Sequence, residues 1–131
     1  MFRNYYMPGQ SGDQDLDLSL LLEIADGSTE FIVESINLFM QQTPESLQQL
    51  TEALDVKDFT MAASSAHKLK STLGFFGMLN SQALILQIEQ ACKNVDPDLE
   101  EILSKLILVK ANIAQNSEEL LKLKLQKQED I

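Results

Sequence analysis

Tryptophan is absent from these 131 residues, and cysteine and histidine occur once each. The lone cysteine, Cys92, excludes an intrachain disulfide. One histidine with one cysteine excludes a zinc site built from those ligands alone. Five glycines and three prolines are too few for a turn-rich β protein. No apolar run approaches the roughly 18 residues a membrane helix needs. Residues 1–17 also lack the continuous apolar stretch of a signal peptide. There is no glycine-rich phosphate loop and no kinase-type nucleotide motif. Basic residues are scarce, 10 against 20 acidic, for a net charge of −10. Nucleic-acid phosphates are bound by clustered Lys and Arg, which this chain does not offer, and anionic lipid is an equally poor match. The acidity reads as a solvated surface.

What is present is an apolar pattern of helical period. The length suits one domain with a real core. Residues 1–16 read as an N-terminal tail, with loop chemistry at Pro8, Gly9, Ser11 and Gly12. The domain is expected over 17–127, with a C-terminal tail over 128–131. Asp17 opens a short helix that places Leu18, Leu21, Leu22 and Ala25 on one face. Ser28 caps a second, whose stripe is Ile32, Ile36, Phe39, Leu47, Leu50 and Leu54. Thr43 fills the gap in that stripe, and Pro44 predicts a kink. Asp58 caps a third helix, with Phe59, Ala62, Ala66, Leu69, Leu73 and Phe76 inward. Asn80 or Ser81 starts a fourth, with Leu84, Ile88, Ala91 and Val95 inward and Cys92 as a core residue. Asp96-Pro97 opens a fifth, which buries Leu99, Ile102, Leu106, Val109 and Ile113. One short helix and four longer ones, each with a single apolar stripe, predict an all-α fold. The architecture expected is an antiparallel four-helix bundle with a short additional N-terminal helix.

The third helix carries the chemistry. His67 lies about 100° round from Ala66, at the edge of the buried face or beyond it. Its helix neighbours are Ala63, Ser64, Lys70 and Ser71, with Gly74 a turn further on. Small side chains let a partner's backbone approach the imidazole. Lys70 supplies positive charge where a phosphoryl group on the ring would carry negative charge. The Ser71 hydroxyl can donate to the ring or to a phosphoryl oxygen. A lone histidine on a helix is more often an ordinary boundary residue. Lys70, the serines and Gly77 likewise have plain readings as surface and packing choices.

The run His67-Lys68-Leu69-Lys70-Ser71, followed by Gly74 and Gly77, resembles the signature of the histidine-containing phosphotransfer (HPt) family. Asp17-Leu18-Ser19, Ala25-Asp26-Gly27, Glu30-Phe31-Ile32 and Phe39-Met40-Gln41-Gln42-Thr43-Pro44-Glu45 look like the first two helices of its free-standing bacterial members. The likeness covers roughly residues 17–115. It departs at Ser71, where glycine is frequent. The resemblance implies a four-helix bundle with the histidine midway along one helix. It implies that His67 accepts a phosphoryl group from a receiver-domain aspartate and passes it to another receiver, in two-component signalling. Lys70 would steady the charge and Ser71 would offer a hydrogen bond. Docking would use Ala63, Ser64, Lys68, Gly74 and Gly77. The chain would be a phosphocarrier and not an enzyme, without a cofactor of its own, with Mg²⁺ carried by the receiver. The expected partners are receiver domains of response regulators and hybrid histidine kinases, with no nucleic acid and no membrane. A cytoplasmic monomer is expected. Two other readings stand beside this one. The first is a receiver-binding adaptor of the same fold that carries no phosphate. The second is a structural or oligomerising bundle, suggested by Leu120, Leu121, Leu123 and Leu125.

Overall fold

The computed structural model describes residues 15–129. They form α1 (Ser19–Ala25), α2 (Thr29–Asp55), α3 (Phe59–Phe75), α4 (Leu79–Cys92) and α5 (Leu99–Glu129). Helix α2 packs on α3 and α5, α4 packs on the same two, and α1 leans on α2. The connections 56–58, 76–78 and 93–98 are short. Neighbouring long helices therefore run antiparallel. This is the expected all-α bundle with a short extra N-terminal helix. Among the described residues no helix is long and apolar enough to cross a membrane.

Local signals explain most helix starts. Ser28 Oγ accepts from Phe31 N at 3.1 Å, and Asp58 Oδ1 accepts from Met61 N at 3.1 Å. Three starts differ from expectation. Asp17 stands one residue before the cap position Leu18, and its Oδ1 accepts from Ser19 N at 3.0 Å and Ser19 Oγ at 2.6 Å. The Ser19 hydroxyl and then its backbone N–H hold the Asp17 carboxyl below its ordinary value. Asp98, not Asp96, caps α5, accepting from Glu101 N at 3.2 Å. Helix α4 has no cap of its own. Asp15 reaches across to supply one, accepting from Asn80 N at 2.7 Å and Ser81 N at 3.0 Å. The Ser81 hydroxyl also donates to it.

Asp15 and Leu16 are buried, and Asn116 Nδ2 donates to the Asp15 carbonyl at 2.8 Å. The domain thus begins before position 17. Residues 1–14, the rest of the expected tail, lie outside the described residues, as do 130–131. Helix α5 runs through the boundary drawn at 127.

The core follows the expected stripes on α2, α3 and α5, with Leu120 and Leu123 added at the far end of α5. Each fully buried Leu or Ile contributes about 1.5–3 kcal/mol. The α4 stripe is different. Ile85, Ile88 and Cys92 are buried, Leu84 and Ala91 only partly, and Val95 is fully exposed. The helix ends at Cys92, so Val95 has left the stripe. Helix α2 runs through Pro44 as one element, and the buried Thr43 hydroxyl has no partner among the described residues.

Helix α3 closes in a left-handed turn at Gly77, φ +67°. Gly77 N donates to Gly74 O at 3.0 Å and Met78 N to Leu73 O at 2.9 Å, the Schellman pattern. The Asp17 backbone lies where a Cβ on Gly77 would stand. Gly77→Ala should lower stability by about 1–2 kcal/mol or more, from the left-handed backbone alone. Thr43→Val should raise it by up to about 1 kcal/mol, because it removes a buried hydroxyl without a partner. Urea midpoints of the two variants against the parent chain check both.

Candidate functional site

His67 stands on the outer side of α3 with 64% of its side chain exposed. Its Nδ1 lies 3.0 Å from Glu89 Oε2, across the α3–α4 contact. Glu89 is the centre of the site. Its side chain is only 6% exposed, yet three groups reach it. Lys70 Nζ donates to Oε1 at 3.0 Å, and Lys93 Nζ donates to Oε2 at 3.3 Å. Burial pushes the Glu89 carboxyl up. The hydrogen bonds from Lys70, His67 and Lys93, with the Lys70 charge, outweigh that and hold it at about 2, against 4.5 ordinarily.

An ionised carboxylate only accepts. Nδ1 therefore carries the proton in this hydrogen bond. In the neutral ring that leaves the lone pair on Nε2, on the exposed side. A shallow groove between α3 and α4 opens beside the ring, lined among others by Phe59, Ala63, Ser64, Lys68 and Cys92. Burial pushes the Cys92 thiol up, which makes it a poor nucleophile. Among the described residues, no three His, Cys, Asp or Glu side chains are grouped to hold a metal ion.

The structure brings together His67, Lys70, Ala63, Ser64 and Lys68. The other residues singled out in the sequence are placed differently. Ser71 is exposed, makes no hydrogen bond among the described residues, and lines a separate groove with Leu38 and Phe75. Gly74 faces Gln82, whose Nε2 donates to Lys70 O at 3.1 Å and occupies the space a side chain at 74 would need. Gly77 is turned to the Asp17 backbone. Glu89 and Lys93 were missed by sequence reasoning. A signal for Glu89 existed: it shares the stripe Ile85, Ile88, Cys92 at helical spacing, and a carboxylate in an apolar stripe demands a cation.

The Hpt domain family model matches residues 34–126, from α2 to α5 and across the His67 site. This chain belongs to the Hpt domain family. It is similar to histidine-containing phosphotransfer protein 2 of Arabidopsis thaliana, with 28% identity over 99 residues. That match takes in 70% of this chain, which spans 62% of the relative's length. Its fold is like that of the HPT domain from the Hpt sensor hybrid histidine kinase of Shewanella, TM-score 0.59 at 23% identity. The likeness covers 88% of this chain and 92% of that one.

Two measurements test how this Hpt domain orients its histidine. In nitrogen-15 ring spectra the neutral His67 should be mainly the Nδ1–H tautomer, and Glu89→Gln should shift it toward Nε2–H. An unchanged tautomer ratio would remove Glu89 as the orienting group. Glu89 is also a depressed carboxyl. Its contribution to stability is present above pH 4.5 and is lost as pH falls toward about 2. The stability advantage of the parent chain over Glu89→Gln should therefore shrink across that window in acid titrations of unfolding.

Proposed function

We propose that this chain is a phosphocarrier in a histidine-to-aspartate relay, and that His67 Nε2 is the acceptor. The observation that carries this reading is the ring's geometry: Nδ1 is tied to a buried carboxylate and Nε2 is left exposed. The Nε2 lone pair attacks the phosphorus of a receiver's aspartyl phosphate. The P–O bond to the aspartate breaks, and the carboxylate leaves with the electron pair. No proton has to depart, because Nδ1 keeps its hydrogen. The ring gains positive character, which Glu89 at 3.0 Å stabilises. The reverse step hands the group to a second receiver.

Lys70 Nζ holds Glu89 when the ring is unmodified. On phosphorylation it turns to a phosphoryl oxygen, while Lys93 keeps Glu89 paired. The receiver seats over the α3–α4 groove against Ala63, Ser64 and Lys68. It supplies the Mg²⁺ and most of the positioning of the transfer. Gly74 and Gly77 serve this surface indirectly, by shaping the turn and the packing behind it.

A panel of phosphorylated receiver domains with Mg²⁺ tests the proposal. The parent chain should gain acid-labile phosphoryl label, and His67→Gln should gain none while keeping its helix content and its receiver binding. Lys70→Ala should slow transfer by about 10–100-fold, the worth of a hydrogen bond to a charged group. Label on His67→Gln would refute the assignment. Receiver binding without label on either chain would favour the adaptor reading.

A further inference from the structure

Helix α5 carries two apolar stripes. Ile102, Leu106, Val109, Ile113, Leu120 and Leu123 are buried in the bundle. Ile107, Ala111, Ala114, Leu121 and Leu125 run about 140° round the helix from them. All five are exposed, Ile107 at 67%, Leu121 at 45% and Leu125 at 53%. One stripe has the bundle as its partner. The other has none among the described residues, which marks it as an interaction face.

The residues on and beside this second stripe are arranged symmetrically about Ala114. Lys110 stands four residues before it and Glu118 four after. Laid antiparallel on itself and crossing at Ala114, the helix matches apolar with apolar and acid with base. Ile107 meets Leu121, the half-buried Leu103 meets Leu125, and Lys110 meets Glu118. The two macrodipoles oppose. The small side chains of Ala111 and Ala114 let the helices approach closely at the crossing.

We propose that the outward face of α5 is an interface between two copies of this chain, packed antiparallel about a two-fold axis at Ala114. Such an interface is self-complementary by construction. Helix α5 packs on α2 and α4, with α3 diagonal to it across the bundle. Pairing through its outward face therefore leaves the His67 side of both copies open. The stripe from Leu103 to Leu125 is about 33 Å long. That places the interface at the small end of specific contacts, so association depends on concentration. The pair differs from the monomer expected from the sequence, and it does not depend on the phosphocarrier reading.

Sedimentation velocity of the full chain over a concentration series tests this. The parent chain should form a dimer that dissociates on dilution. Leu121→Glu should raise the concentration for half-association by about tenfold or more, since it places a carboxylate in an apolar contact. Lys110→Glu and Glu118→Lys should each weaken the dimer, and the double reversal should restore it. Leu121, Lys110 and Glu118 are all exposed, and circular dichroism verifies that each variant keeps its helices. A parent chain that stays monomeric at every concentration would overturn the proposal. So would a dimer unaffected by Leu121→Glu and by the single reversals.

Discussion

A carboxylate placed between two packed helices stays charged only when cations and donors surround it. Glu89 is held in that way. One of its oxygens takes Lys70 from α3, and the other is shared by His67 from α3 and Lys93, just past the end of α4. These bonds set the rotation of α3 against α4, because a turn of either helix would strand a buried charge. They also set which face of the imidazole meets solvent and which nitrogen keeps its proton. The site and the bundle therefore rest on one ionised group. That group tolerates its burial only because all three partners arrive together.

The position of α4 is secured at its other end by the N-terminal segment. Asp15 caps the first turn of α4 while its own carbonyl is held by Asn116 of α5. A negative group at that helix start also suits the macrodipole. The segment then passes over the end of α3, where only glycine leaves room for the Asp17 backbone against residue 77. Gly74, a turn earlier, has a similar role. Its missing side chain lets Gln82 cross from α4 and bond the Lys70 carbonyl. The glycines after His67 thus serve the protein's own packing.

The bundle also separates its surfaces. Helix α3 shows the exposed His67 on one side, and α5, the longest helix, shows an apolar outer stripe on the other. Helices α2 and α4 stand between them. A contact on the α5 side can form without covering the imidazole. This division comes from the ring-like order of four helices, in which each long helix packs mainly on its two neighbours.

Much of this was legible in the sequence, because helix starts and apolar stripes are local. Ser28 and Asp58 cap by bonding an N–H three residues away, and the α2, α3 and α5 stripes repeat within a turn or two. The likeness around His67 and Lys70 was equally local, since those residues are neighbours on one helix face. What the sequence concealed was every contact between distant segments. Glu89 is 22 residues from His67, and Asp15 is 65 residues from the N–H it caps at Asn80. Helix α4 resists reading by pattern because its buried face contains a serine and a glutamate, which look polar until their partners are known. The chain by itself determined which helices form and where the histidine sits. Only tertiary packing decided the histidine's orientation, because the group that orients it belongs to another helix, and its burial beside three donors exists only when those helices meet.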